Sequence, residues 1–371
     1  MKLSSYNEWD PLKEVIVGVA ESKAFLTFHD EEWISEDKRK ILVDLSEKAF
    51  PQSLIDDVNQ DLEDFCNIIR DFGATVFRPD STGVNKFHST GNWCSSGINI
   101  YNTRDLHLVV GNTLIESASH MKHRYFEAQR MHKIFYEEYM ENGFKWIAAP
   151  KPSLIGNYRI PKVEDGKLYH KLTEDEILFE AANTLRMGKD LIYLVSGSGN
   201  YLGAKWLQSI LGDEYKVHTT EGIYRSAHID STLIVLRPGL VLVNGERVDE
   251  KNCPPLFDSW DKIYFHDIVT YPSEVEDFFE KVWKPVNKQF EELGVKSDLD
   301  YMTTIWTGMN LFSLDQNTVV VDARQTALIK TLESHKMTVI PAKNPNQYLM
   351  KGAFHCCTLD TVRDGNLESY F

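Results

Sequence analysis

Two short clusters carry residues with chemistry to offer. Phe354-His355-Cys356-Cys357-Thr358 sets an imidazole beside two adjacent thiols, and His228-Ile229-Asp230 sets an imidazole and a carboxylate two positions apart. At the start of a strand, positions two apart share a face, so His228 and Asp230 would form an acid/base and cation-binding pair; a hydrogen-bonded polar pair at a strand end is the plainer reading. A thiol with a free pKa of about 8.5 is only a few per cent ionised near neutrality, so either cysteine needs an electrostatic partner that spacing does not identify, and a buried small hydrophobe is the commoner role. Phe179-Glu180-Ala181-Ala182-Asn183 offers a carboxylate and an amide among small residues that permit close approach of a ligand. Arg104-Asp105 stands before an apolar run and, taken alone, reads as a surface ion pair.

Two further patterns imitate other chemistries. Gly197-Ser198-Gly199-Asn200-Tyr201-Leu202-Gly203 follows an apolar run, opens a helix and is followed by Glu221, as a dinucleotide fingerprint would be. Its last glycine comes one place late and it lacks a clear βαβ partner, so glycine at a strand-to-helix turn is preferred. His228, Asp230 and His355 supply the ligand set of a two-histidine, one-carboxylate iron site, which makes an iron oxygenase a rival from another class. That site is commonest on an all-β jelly roll, whereas this chain holds long helix-period segments.

The elements that must position these groups alternate in type. Strand-like apolar runs fall at 14–19, 107–115, 145–149, 191–196, 232–244, 262–269, 318–322 and 337–341. The clearest helix carries Leu54, Val58, Leu62, Phe65, Ile69 and Phe72 and stops at Gly73; others are read at 124–142, 204–211, 274–293 and 326–334. Arg237-Pro238-Gly239 and Asp315-Gln316-Asn317 read as turns. The class is mixed α/β, with no linker, no visible internal repeat and a single domain over 1–371 as the simpler organisation. The polar stretches 24–51 and 156–175 read as loops over a site.

A net charge of −15 over 371 residues disfavours nucleic acid or an anionic membrane as partner and suits a cationic small substrate. Five cysteines without C-x-x-C spacing indicate neither a disulfide framework nor a zinc ribbon. No signal peptide or membrane-spanning stretch is read, so the expected location is cytoplasmic.

Taken together, Tyr6-Asn7-Glu8-Trp9-Asp10-Pro11-Leu12 with Glu14-Val15-Ile16-Val17-Gly18, then Pro150-Lys151-Pro152, His228-Ile229-Asp230 and Phe354-His355-Cys356 resemble the arginine amidinotransferase family. The resemblance runs from about Ser5 to Tyr370. Between Glu180 and Thr331 it is most similar to the inosamine-phosphate amidinotransferases, notably in Gly203-Ala204-Lys205-Trp206-Leu207-Gln208 and Arg324-Gln325-Thr326-Ala327-Leu328-Ile329. It implies a pseudo-fivefold, pentein-like α/β-propeller with the site in its central channel. It implies amidino transfer from L-arginine to an acceptor amine, with Cys356 as nucleophile, His228 as general acid/base, and Glu180 orienting His228 and holding the guanidinium. Asp105 and Asp230 match carboxylates that grip the guanidinium, and Arg247 matches an arginine that binds the donor's α-carboxylate. Cys357 matches no catalytic position. Neither metal nor organic cofactor is implied, and a homodimer is left open.

Glu180 stands where these transferases usually carry Asp, and Thr303-Thr304 and Val362 depart from the pattern as well. An arginine deiminase-like hydrolase on the same scaffold is the alternative, with a non-enzymatic arginine sensor behind it. Arg225, three before His228, lies in a segment that varies with acceptor and is expected to meet an anionic group there. The acceptor is open among glycine, lysine, an aminocyclitol phosphate or another amine.

Overall fold

The apolar runs do not join into one broad sheet; each settles into a sheet of three. In the computed structural model, which describes residues 2–21, 29–30, 37, 41, 50–80, 87–96, 100–164, 167–292 and 303–371, five such sheets share one pattern. A middle strand pairs antiparallel with one neighbour and parallel with the other. The sets, with the middle strand second, are His107–Val110, Thr113–Glu116 and Lys145–Ala148; Thr184–Met187, Asp190–Val195 and Lys216–Glu221; Leu233–Arg237, Leu240–Asn244 and Asp261–Phe265; and Phe312–Ser313, Thr318–Asp322 and Thr338–Ala342. The fifth joins distant segments: Thr358–Arg363 lies antiparallel to Leu12–Val17, which runs parallel to Thr75–Phe77. This is a pseudo-fivefold pentein α/β-propeller.

A parallel neighbour needs a crossover, because a tight turn can only reverse the chain. The helices Gln52–Phe72, His132–Asn142, Tyr201–Leu211 and Thr326–Ser334 provide it in four blades, and the 3-10 turn Pro255–Phe257 lies in the shorter crossover of the remaining blade, between Leu240–Asn244 and Asp261–Phe265. Gln52–Phe72 buries Ile55, Val58, Leu62, Phe65 and Ile69 along one stripe, each side chain contributing about 1.5–3 kcal/mol relative to exposure. It ends where Gly73 takes φ 101°, a left-handed conformation that lets its N–H donate back to the Arg70 carbonyl at 2.9 Å. Phe65 from this helix packs on Phe354 with ring centroids 4.7 Å apart, so the helix also braces the segment that carries Cys356.

Several segments differ from their sequence reading. The runs at 107–115 and 232–244 are each two strands, the second folded at Gly239 with φ 79°. Only His132–Asn142 of the 124–142 segment is α-helical, after two 3-10 turns. A π-turn at Phe279–Trp283 separates Ser273–Phe278 from Lys284–Glu292. The stretch 156–175 is not a plain loop: it forms the hairpin Arg159–Glu164 with Lys167–Leu172. Most of 24–51 lies outside the described residues. Among the described residues, no helix is long and apolar enough to cross a membrane.

The glycine-rich segment turns from Asp190–Val195 into Tyr201–Leu211. Asn200 caps that helix by accepting from the Gly203 N–H at 2.8 Å, and a Cβ at Gly199 would lie 2.5 Å from the Tyr193 hydroxyl. Close packing, with no phosphate required, accounts for these glycines.

Candidate active site

Each blade delivers one polar residue to a common cavity from the same place, the turn just before its outer antiparallel strand. Asp105 precedes His107–Val110, Glu180 precedes Thr184–Met187, Asp230 precedes Leu233–Arg237, Asn310 precedes Phe312–Ser313 and Cys356 precedes Thr358–Arg363. All five line one cavity of about 210 Å³, together with His228, Arg124, Ser198 and Lys351. Irregular backbone at this point lets a side chain turn inward; continued pairing would aim it along a sheet face.

Cys356 is buried, and its Sγ lies 3.2 Å from Asp230 Oδ2. The same oxygen is 2.9 Å from His355 Nδ1, whose ring reaches Glu8 on its other side at 3.4 Å. Burial opposes charge on Asp230, but the His355 contacts and the nearby His228 hold its carboxyl well below the usual range. Burial first, then the charges of Asp230 and Asp105, push the Cys356 thiol well above its ordinary value. Asn310 ties the backbones of Cys356 and Asp230 together: its Oδ1 accepts from the Cys356 N–H at 3.0 Å and the Ala353 N–H at 3.2 Å, while its Nδ2 donates to the Asp230 carbonyl at 3.3 Å.

His228 Nε2 meets Glu180 Oε2 at 2.6 Å, and its Nδ1 stands 3.6 Å from Asp105 Oδ1. Burial alone would lower the imidazole pKa, yet the Asp105 charge and the Glu180 hydrogen bond raise it to about 9. The ring is therefore an imidazolium near neutrality. Ser119 Oγ donates to the other Glu180 oxygen at 2.6 Å, which fixes that carboxylate from behind. Burial likewise opposes charge on Glu180, while Arg124 and His228 keep it ionised. His228 and Asp230 do not share a strand face, because a 3-10 turn over Ile229–Ser231 separates them; each reaches the cavity with its own partners.

Arg124 was not singled out by sequence, and it proves central. Its guanidinium grips Glu127 in a two-pronged contact at 2.7 Å on both sides and reaches Asp105 Oδ2 at 2.6 Å and Glu180 Oε2 at 3.5 Å. Arg104 and Asp105 are buried and make no surface pair: Arg104 donates to Asp360 at 2.6 Å and to the His355 carbonyl at 2.9 Å, whereas Asp105 turns to Arg124. The signal for Arg124 was its spacing of three from Glu127. For Asn310 it was the position before a leucine that leads into a strand, shared with Asp105.

Two arginines are placed differently from the rest. Arg247 stands one layer behind the cavity wall, donating to Thr232 Oγ1 at 2.7 Å, Ser231 Oγ at 3.0 Å and Thr304 Oγ1 at 3.0 Å, with the Tyr224 ring centroid 3.7 Å from its guanidinium carbon. Ser231, Thr304 and Tyr224 are themselves wall residues. Arg225 lines a separate depression of about 70 Å³ with Tyr169 and Glu221, its guanidinium carbon 5.5 Å from the Tyr169 centroid. Among the described residues, the side chains whose donor atoms converge as a metal site requires are Asp105, Glu180 and His228, within 4.8 Å of one another. They are a different set from His228, Asp230 and His355. His355 faces Asp230 and Glu8 instead.

No family model matches the chain. It is 37% identical to inosamine-phosphate amidinotransferase 1 of Streptomyces glaucescens over 99% of either chain. It is 34% identical to the L-arginine:L-lysine amidinotransferase of Pseudomonas savastanoi pv. phaseolicola, over 99% of this chain and 96% of that one. The solved structure of an inosamine-phosphate amidinotransferase from Streptomyces griseus superposes with a TM-score of 0.82 at 36% identity, covering 99% of both chains.

Proposed function

The chain belongs to the amidinotransferase family and takes its amidino group from L-arginine, and from that premise we propose that transfer runs through a covalent amidino intermediate on Cys356. The observation that supports this is the convergence of a thiol, an imidazolium and three carboxylates on one small cavity.

Arginine's guanidinium is a planar cation, and Asp105, Glu180 and Asp230 present the negative charge it needs. Its entry answers the problem posed by Cys356. In the empty site the carboxylates oppose a thiolate; a bound guanidinium neutralises them and brings the electrophilic carbon beside sulfur, so ionisation and attack become favourable together. As the thiol gives its proton to water, a C–S bond forms, the bond from carbon to the departing nitrogen breaks, and His228 gives that nitrogen its proton, releasing ornithine. Glu180 stabilises the imidazolium beforehand and keeps the ring aimed. The acceptor amine then attacks the amidino carbon, His228 takes its proton, and the C–S bond breaks to a thiolate that regains a proton from water and restores the cysteine. Arg247 is assigned to the donor's α-carboxylate, reached through the Tyr224 and Thr304 side of the wall.

Mass spectrometry of the intact protein after incubation with L-arginine alone tests the reading. A stoichiometric amidino adduct that requires Cys356, with one ornithine released and the adduct discharged only by an added amine, is expected. Steady citrulline without an amine would show that water is the acceptor, as in a deiminase, and no adduct would end the covalent mechanism.

A further inference from the structure

Asp105 and Glu180 are buried carboxylates from successive blades, and one polar atom from each of Asp105, Glu180 and His228 lies within 4.8 Å of the others. Two negative charges this close repel strongly away from water, so a cation must hold them together before a substrate arrives. His228 is one such cation, and on the proposed mechanism it gives its proton away. Arg124 is the other, and a guanidinium keeps its charge throughout.

The contacts of Arg124 are those of a fixture. Its Nε and Nη2 each meet a Glu127 oxygen at 2.7 Å, and Nη2 also faces the Asn102 carbonyl at 3.5 Å. Its Nη1 meets Asp105 Oδ2 at 2.6 Å and Glu180 Oε2 at 3.5 Å. Each of the five N–H groups of a guanidinium thus has an oxygen to face, and none is left over for a ligand, although Arg124 lines the cavity. Glu127 is buried and is not a wall residue. By taking two nitrogens it fixes the plane of the guanidinium, which leaves the third a single direction, toward the two carboxylates. The fork is set locally, between the consecutive 3-10 turns Lys122–Arg124 and Glu127–Met131, whereas Nη1 reaches across to the blade of Glu180. Arg124 occupies one oxygen of Asp105; the other, Oδ1, has no hydrogen bond among the described residues, and His228 Nδ1 stands 3.6 Å from it.

We propose that Arg124, aimed by Glu127, is a positioning residue that holds Asp105 and Glu180 in the one arrangement able to grip the donor's guanidinium. The assignment rests on the reading that these carboxylates bind the guanidinium; the fork itself does not depend on it.

The test is calorimetric binding of L-arginine and of L-citrulline, which keeps the shape of arginine and lacks its charge. Cys356→Ala enzyme is used throughout, so that no adduct forms. The readout is the preference for arginine, the ratio of the two dissociation constants, before and after adding Arg124→Lys or Glu127→Asp. Both substitutions keep every charge and change only direction: a lysine cannot bond Glu127 twice while reaching both carboxylates, and a shorter acid draws the guanidinium back from them. The preference should fall about tenfold or more in each, as loss of a hydrogen bond to a charged group implies. Equal weakening of both ligands, which leaves the ratio unchanged, gives the pair a structural role only and overturns the proposal, as does an unchanged affinity for arginine. Thermal melting identifies folded variants, and should Arg124→Lys not fold, Glu127→Asp decides alone. Asp105→Asn in the same background tests the underlying reading by itself. If it leaves the preference intact, the carboxylates do not grip the guanidinium and both ideas fall; if it lowers the preference while the two charge-conserving variants do not, the proposal alone falls.

Discussion

Cys356 Sγ and Asp230 Oδ2 stand 3.2 Å apart, and in the absence of a cation this contact disfavours the ionised form that Cys356 needs in order to react. The enzyme at rest therefore carries a protonated thiol. On the proposed mechanism, the carboxylate that would hold the guanidinium also keeps Cys356 protonated until the substrate arrives.

Alkylation of Cys356 by iodoacetamide, followed by peptide mass spectrometry, should consequently be slow at neutral pH and rise only above the ordinary thiol range. Burial and the charges of Asp230 and Asp105 both act in this direction. Asp230→Asn removes one of those charges, and its alkylation profile should move to lower pH by about one unit or more, as loss of a carboxylate within 4–6 Å implies. A wild-type profile matching a free cysteine would remove the basis for substrate-triggered ionisation.

Ornithine release in the first half-reaction should fall as pH rises through about 9, where His228 loses its proton. Glu180→Gln replaces the hydrogen-bonded carboxylate at 2.6 Å and should shift that inflection downward, and His228→Ala should slow the step by roughly 10²–10⁴-fold. The linked effect on folding has a definite sign. A histidine whose pKa is raised on folding contributes stability that is fully present below its unfolded value, about 6.5, and is lost as pH climbs through about 9. Denaturation midpoints of wild type and Glu180→Gln across this window would converge at the alkaline end if the pair acts this way.

Gly352→Ala should leave a folded protein with little activity. A methyl group there would sit 2.6 Å from Cys356 Cβ and 2.3 Å from Asn102 Oδ1, so the loop or the nucleophile must move. Displacing a reacting group by about 1 Å costs on the order of 10²-fold in rate. Single-turnover adduct formation beside a thermal melt separates this from simple destabilisation; an active Gly352→Ala enzyme would show that the loop adjusts freely.

How far the sequence speaks depends on what each residue's neighbours are. The Gln52–Phe72 helix was readable because its stripe and its stopping glycine are local features. His228, Glu180, Asp105, Asp230 and Cys356 could be named through their resemblance to a family, and the structure brings all five to one cavity. Arg124 and Asn310 were passed over because their importance lies in contacts across the chain: Arg124 to Asp105, nineteen positions away, and Asn310 to Cys356, forty-six away. The fivefold pattern was named through the same resemblance but could not be read from an internal repeat, for a related reason. The blades repeat strand directions and the position of one inward turn, while the residue occupying that turn is Asp, Glu, Asp, Asn or Cys. A repeat in backbone course with no repeat in side chain leaves no periodic trace.

Joining Thr358–Arg363 to Leu12–Val17 has a consequence in time. Those strands are separated by more than 300 positions, so this contact carries a larger loop-closure cost than any hairpin within a blade. Cys356 lies immediately ahead of the later strand, whereas Asp105, Glu180 and Asp230 lie in segments that leave the ribosome earlier. A nascent chain can thus gather its acidic groups before its sulfur is in register, and on the proposed mechanism reactivity toward arginine requires the circle of sheets to be sealed. Amidination of Cys356 would serve as a chemical timestamp of that last folding event.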